Sequence, residues 1–247
     1  LPPFTGGLVG YFAYEMIQYA EPKLRIKQSD VNDCELMMFD RLIAFDQLHH
    51  KLCFIVNARA QEGKAGYDKA IAELEAFVET IRITAPIPYE KPLPAPAFTC
   101  NLSREAYCRR VERTKQYIRE GDIFQGVISR RFEADYDGSL LNAYRVLRTT
   151  NPSPYMYYIR LRDLEIAGTS PETMVKLTDG KLMTFPVAGT RKRGKDREED
   201  MALEKELLAD EKECAEHNML VDLARNDIGR IAEYGSVRVE DYMAVHR

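Results

Sequence analysis

Met174-Val175-Lys176-Leu177-Thr178-Asp179-Gly180-Lys181-Leu182-Met183-Thr184-Phe185-Pro186-Val187 reads as a β-hairpin. Two apolar, β-prone arms flank Asp179-Gly180, a dipeptide suited to the two-residue turn that requires positive φ. Strands joined so tightly pair antiparallel, whereas a parallel pair needs a long crossover. The second arm runs into Phe185-Pro186-Val187-Ala188-Gly189-Thr190-Arg191-Lys192-Arg193-Gly194, where a strand end meets two glycines, a threonine and three cations. Backbone N–H groups and fixed positive charge of this kind suit a small anion.

Upstream lie strand-like runs over Tyr155 to Leu161 and Leu164 to Ala167, preceded by a helix that opens at Ser139 and stops before Asn151-Pro152. Ile123 to Phe132 alternates as a strand, with Ile123, Gln125, Val127 and Ser129 on one face and Phe124, Ile128 and Phe132 on the other. Before it, Ser103 suits the N-cap of a helix whose Tyr107, Val111, Thr114 and Ile118 share a face, closed by Gly121. Pro86, Pro88, Pro92, Pro94 and Pro96 mark an extended connector over residues 86–98. It separates an amino-terminal region, 1–85, from a core, 99–247.

In the first region Leu36 to Phe45 and Lys51 to Asn57 make a hairpin around Gln47-Leu48-His49-His50. Ile71, Leu74, Phe77, Val78 and Ile81 give Tyr67 to Ile81 the spacing of an amphipathic helix. Downstream, Glu198 to about Arg225 reads as helical with a break near Asp210. Antiparallel hairpins with helices between them argue an α+β fold.

The chain has 247 residues, 45% hydrophobic and 30% charged, with a net charge of −4, the composition of a globular protein. No apolar run reaches the roughly 20 residues of a membrane span. Leu1-Pro2-Pro3 does not begin a secretory signal. Mild acidity argues against a dedicated nucleic-acid binder. Five scattered cysteines, with no C-x-x-C pair, fit neither a disulfide framework nor a zinc site and suggest reduced cytoplasmic thiols. The chain lacks an initiator Met and ends at His246-Arg247 just after a strand-like run, so truncation at both ends is expected.

Three segments carry candidate chemistry. Glu213 and Glu216 are three apart on one helix face, where a shared Mg²⁺ relieves their repulsion; a solvated acidic helix is the other reading. Gly168-Thr169-Ser170-Pro171-Glu172 places a carboxyl after a strand and a stiff proline, as a general acid held near apolar walls or as a loop glutamate capping the next strand. Asn151-Pro152-Ser153-Pro154-Tyr155-Met156 is a rigid turn into a strand, and His217 a lone helical histidine; both have ordinary structural readings. The cationic loop is no P-loop, since G-x-x-x-x-G-K-[ST] is absent, and without aromatic neighbours it makes a poor nucleic-acid contact.

Taken in order, Gly121-Asp122-Ile123-Phe124-Gln125, Asn151 to Met156, Ser170-Pro171-Glu172, Val187-Ala188-Gly189-Thr190-Arg191 and Ala215-Glu216-His217-Asn218-Met219-Leu220-Val221-Asp222-Leu223-Ala224-Arg225-Asn226-Asp227 resemble the chorismate-utilising enzymes. The branch they resemble is that of the anthranilate synthase large subunits, and Gly6-Gly7-Leu8-Val9-Gly10-Tyr11-Phe12 resembles that family's amino-terminal region. The resemblance implies an αββα sandwich of antiparallel sheets flanked by helices, incomplete in this chain. It also implies Mg²⁺, chorismate as substrate, a glutamine amidotransferase subunit as source of ammonia, and tryptophan as feedback inhibitor. By the same resemblance Glu172 is the general acid, Glu216 a metal ligand with Glu213 as a further carboxylate, and Ala188, Gly189 and Thr190 the substrate loop. Pro154, Tyr155 and Met156 match one half of the inhibitor pocket.

Two positions divide the family. Water-using relatives carry lysine where Gln125 stands, because water needs a base, whereas ammonia brings its own lone pair. Aminodeoxychorismate synthases typically carry a nucleophilic lysine where Ala188 stands. Gln125 and Ala188 together point to the anthranilate-forming branch; an enzyme stopping at aminodeoxyisochorismate or aminodeoxychorismate, or a non-catalytic amino-acid-binding module, are the alternatives. There are departures too. Gly126 replaces a common valine, which suggests a bulge, and the family's Leu-Leu-Glu-Ser-like segment, eliminating histidine, second metal carboxylate and glycine-rich loop have no counterpart here. The piece alone is therefore expected to be inactive.

Overall fold

Ten short strands pair two by two into antiparallel ladders, interleaved with helices, in a computed structural model that describes residues 2–83, 85 and 96–246. Of the expected connector, residues 86–95 lie outside the described ones. The chain divides into two units, Leu1–Gly138 and Ser139–Arg247. The mixture of helices with small antiparallel sheets is the α+β class expected from the hairpins.

The first unit opens with β1 (Gly7–Phe12), a short α1 (Ile17–Ala20) and β2 (Cys34–Phe39), the strands pairing from Gly7↔Phe39 to Phe12↔Cys34. Next, β3 (Arg41–Asp46) and β4 (Lys51–Val56) form the hairpin, with Asp46 opposite Lys51 at its tip. The run read as one strand from Leu36 is thus divided at Asp40. One side chain explains the division: Asn57 Nδ2 donates to Thr5 O (2.8 Å) and Asp40 O (3.1 Å), joining both ladders. Helix α2 (Gly63–Ile83) lays Phe77 edge-on against Phe54 of β4, with ring centroids 5.6 Å apart.

Beyond the undescribed residues come β5 (Thr99–Cys100), α3 (Arg104–Glu120) and β6 (Phe132–Glu133), which pairs with β5. The caps of α3 are those expected. Ser103 Oγ accepts from Ala106 N (3.2 Å), and Gly121 takes the left-handed conformation at φ 82°. The expected strand from Ile123 is corrected: only Phe132–Glu133 joins a ladder. Helix side chains and a crowded approach hold the preceding segment instead. Tyr107 Oη donates to Ile128 O (3.1 Å), and a Cβ on Gly126 would stand 2.5 Å from Thr114 Cγ2. Gly126 therefore serves close approach to α3 rather than a bulge within a ladder.

In the second unit α4 (Leu141–Thr150) precedes the hairpin of β7 (Tyr155–Arg160) and β8 (Glu165–Ser170), paired from Tyr155↔Ser170 to Arg160↔Glu165. Glu165 anchors α4 to this hairpin. Its carboxylate accepts from Leu140 N (2.6 Å), Tyr158 Oη (2.8 Å) and Ser139 Oγ (3.1 Å). The expected turn follows: β9 (Lys176–Thr178) and β10 (Lys181–Met183) pair antiparallel, with Asp179 at φ 50° and Gly180 at φ 77°. Two helices complete the unit, α5 (Arg197–Ala209) and α6 (Glu211–Gly229), broken at Asp210 as expected.

Leu161 is the one buried hydrophobic side chain among the described residues. Correct amphipathic patterns thus coexist with uncovered apolar faces, such as Phe124 and Val127, both nearly nine-tenths exposed.

The Leu140 amide, then the Tyr158 and Ser139 hydroxyls and Arg160, hold Glu165 below its ordinary pKa. A depressed carboxyl contributes stability that is complete above its ordinary value, about 4.3, and is lost as pH falls through the lower folded-state value. Thermal midpoints of the protein and of Glu165→Gln should differ by a constant amount above about pH 5 and converge toward pH 3. A gap independent of pH would remove this role.

Candidate active site

The loop after β10 is built around its cations. Arg191 sends Nε to Glu206 Oε1 (2.9 Å), Nη2 to Asp210 Oδ2 (2.9 Å) and Nη1 to Thr190 O (3.2 Å). Arg193 pairs with Asp200 of α5 through Nη2 (2.6 Å) and Nε (3.0 Å), while Gly194 N donates to the same carboxylate (2.5 Å). Two of the three loop cations are therefore paired with carboxylates of the same unit, which offsets part of the fixed positive charge expected to face an anion. Among the described residues no protein group accepts from the backbone N–H of Ala188, Gly189 or Thr190. Those donors and the exposed Lys192, rather than the arginines, are what the loop offers a ligand.

The same geometry brings the loop to the carboxylate helix. Asp210 Oδ1 accepts from Lys212 N (3.1 Å) and Glu213 N (3.2 Å), the N-cap of α6. Gly189 has φ 77°, and a Cβ there would stand 3.0 Å from Leu207 Cδ1 and 3.4 Å from Glu213 Oε2. Glycine is favoured by this left-handed conformation, and a side chain there would also crowd Leu207. Amides of the capped turn, chiefly Glu213 N–H, and then Arg191 hold the Asp210 carboxyl below its ordinary range; Glu206 and Asp210 raise the Arg191 guanidinium. Each partner reports the same pairing.

Glu213 is half-buried, its Oε1 3.7 Å from Lys212 Nζ, and Glu216 is half-buried one turn on. Among the described residues no three His, Cys, Asp or Glu side chains gather as a metal cage. Two carboxylates nevertheless fit Mg²⁺ by donor chemistry, since that ion takes one or two carboxylates and completes its shell with water and substrate oxygens. The five cysteines are all free.

Glu172 is exposed, in the bend between β8 and β9, where Ser170 Oγ accepts from its amide (3.4 Å). Thr184 Oγ1 donates to Met174 O (2.9 Å), so the open end of the β9–β10 hairpin carries Pro171-Glu172 on one arm and Val187-Ala188-Gly189 on the other. Tyr155 Oη meets Thr173 Oγ1, which sets the exposed Pro154-Tyr155-Met156 corner beside the Glu172 segment. The second unit thus gathers all the candidates except Gln125, which is exposed in the first. His217, with Nε2 buried and its ring 6.2 Å from that of Tyr242, faces a packing role. The Arg191–Asp210 pair that joins the loop to α6 has only weak signals in the sequence, an arginine after Gly-Thr and an aspartate at a helix break.

The family model for chorismate binding enzymes matches residues 2–247. The chain belongs to that family. It is 43% identical over 257 residues to anthranilate synthase component 1 of Acetivibrio thermocellus, covering 100% of this chain and 52% of that protein. With the same component of Aquifex aeolicus it shares 44% over 254 residues, 100% of this chain and 51% of the other. The crystal structure of anthranilate synthase component I from Streptococcus pneumoniae superposes with a TM-score of 0.86 at 38% identity, over 99% of this chain and 55% of that one. The chain spans about half the length of the curated relatives it matches. In this chorismate binding enzyme no helix of the described residues is long and apolar enough to cross a membrane.

Gly189→Ala should cost about 1–2 kcal/mol from the left-handed backbone alone, read as a lower denaturation midpoint of the second unit. A variant as stable as the parent would show that the loop can relax out of the left-handed conformation at 189.

Proposed function

We propose that this chain is part of an anthranilate synthase component 1, which converts chorismate and ammonia to anthranilate, pyruvate and water. The observation that carries this reading is the attachment of the Gly189-Thr190 loop to the first turn of the helix bearing Glu213 and Glu216. Unpaired backbone donors and a carboxylate pair suited to Mg²⁺ then act on one anionic ligand. Gln125 and Ala188, in place of reactive lysines, favour ammonia as nucleophile.

In this reading Ala188, Gly189 and Thr190 line the chorismate carboxylate, their N–H groups replacing its water. Glu216, supported by Glu213, would hold Mg²⁺, which supplies positive charge for a substrate carboxylate. Glu172 gives its proton to the C4 hydroxyl, which leaves as water while ammonia's lone pair forms the C–N bond. Loss of pyruvate with a ring proton then gives the aromatic product. Gln125 has no basic lone pair with which to activate water, so it leaves the competing hydration unassisted.

Glu172 is exposed here, and a general acid works best where apolar walls disfavour its charge. The walls belong to the αββα sandwich of the whole protein, which the remaining length of the relatives completes. Residues 1–85 would form the amino-terminal, regulatory-side region, 86–98 a connector and 99–247 the chorismate-binding part. Pro154, Tyr155 and Met156 would contribute to a pocket for tryptophan, and a glutamine amidotransferase subunit would deliver ammonia in the cytoplasm.

The 247-residue chain by itself should release no anthranilate from chorismate, Mg²⁺ and ammonium, since its apolar surfaces remain uncovered; measurable fluorescence of the product would refute this. In the full-length protein, Glu172→Gln should lower kcat by about 10²–10⁴-fold, the range of general acid catalysis. Unchanged turnover would sink the assignment of Glu172.

A further inference from the structure

Arg191 does more than neutralise carboxylates. Its three contacts lie on three different pieces of chain: Glu206 in the last turns of α5, Asp210 at the break between the helices, and the Thr190 carbonyl of its own loop. They use Nε, Nη2 and Nη1, three corners of one planar group. Asp210 meanwhile binds the guanidinium with Oδ2 and the amides of Lys212 and Glu213 with Oδ1. A continuous path therefore runs from the loop carbonyl through the guanidinium and the carboxylate to the backbone of Glu213.

We infer that Arg191 is a positioning residue for the chorismate site, fixing the donor loop and the Glu213–Glu216 turn in one register. This rests on the chorismate reading above. Each of the two elements has the freedom to shift alone, for the loop is irregular and α6 begins at a break. Preorganised donors are effective because nothing must move when charge develops, and displacement by about 1 Å can cost on the order of 100-fold. Arginine is required by shape as well as charge. A lysine ammonium is a compact point that cannot present three donors in a fixed plane.

The test uses the full-length protein with Arg191→Gln and Arg191→Lys. Lys181→Gln, which breaks the 2.6 Å pair with Glu240 elsewhere in the same unit, is the control for loss of an ion pair. Amide hydrogen exchange should accelerate together at 188–191 and 211–214 in both Arg191 variants, and at neither segment in Lys181→Gln. Chorismate KM should rise about 10–100-fold, with weaker Mg²⁺ binding by calorimetry in the absence of substrate. The lysine variant should fail to rescue either. Full rescue by lysine, or exchange that rises in the loop and not in the helix turn, would overturn the clamp. Unchanged KM and Mg²⁺ affinity in Arg191→Gln, with chorismate still bound by the parent, would overturn the positioning role. A parent protein that binds no chorismate would instead overturn the substrate assignment itself.

Discussion

One carboxylate, that of Asp210, meets two demands on which the second unit depends. The chain must end α5 and restart as α6 in a single residue, which exposes unpaired amides at the new N-terminus. Oδ1 satisfies those of Lys212 and Glu213. Oδ2 is then free to hold Arg191, so the residue that starts the helix also fixes the loop beside it. Asparagine would cap the helix comparably but offer Arg191 a weaker neutral acceptor. The charge serves both the amides of the helix start and the connection to Arg191.

The rest of the molecule shows local correctness without a closed core. Each ladder has two strands, yet among the described residues Leu161 alone of the hydrophobic side chains is buried. Two-stranded ladders are marginal unless something covers a face. The ties that hold are polar and specific: Asn57 between the first two ladders, Glu165 between α4 and its hairpin, Arg191 and Arg193 between the loop and its helices. Such contacts define geometry but supply little of the free energy that burial gives.

What could be read from the residues follows the range of the interaction. Asp179-Gly180, Ser103 and Gly121 announce a turn and two caps because the physics involved spans a few bonds. The segment from Ile123 misleads because its alternation is real, but its partners are a helix tyrosine and a helix threonine rather than a strand. Glu165 is invisible as an anchor, since its amide partner lies 25 residues away. For the site, the Gly189 turn and the helix bearing Glu213 and Glu216 were legible as local structure. That two of the three cations are engaged elsewhere was not, because Arg191 finds its carboxylates 15 and 19 residues on.

That redistribution of charge changes what the loop can do. A cradle with three free cations would bind an anion strongly in every state and discriminate little between substrate and transition state. With Arg191 and Arg193 engaged, the remaining donors are the backbone amides, which carry only partial charge, and the exposed Lys192. In the chemistry proposed they would hold a carboxylate, and a metal on Glu213 and Glu216 would supply the larger electrostatic effect. Ala188, small and without a reactive group, adds no nucleophile to this surface. In the chemistry proposed, the attacking lone pair must therefore come from outside the loop. Ammonium, the dominant form near neutral pH, has none to give. On that proposal, direct delivery of ammonia from an amidotransferase partner would supply the one reactant that this loop does not.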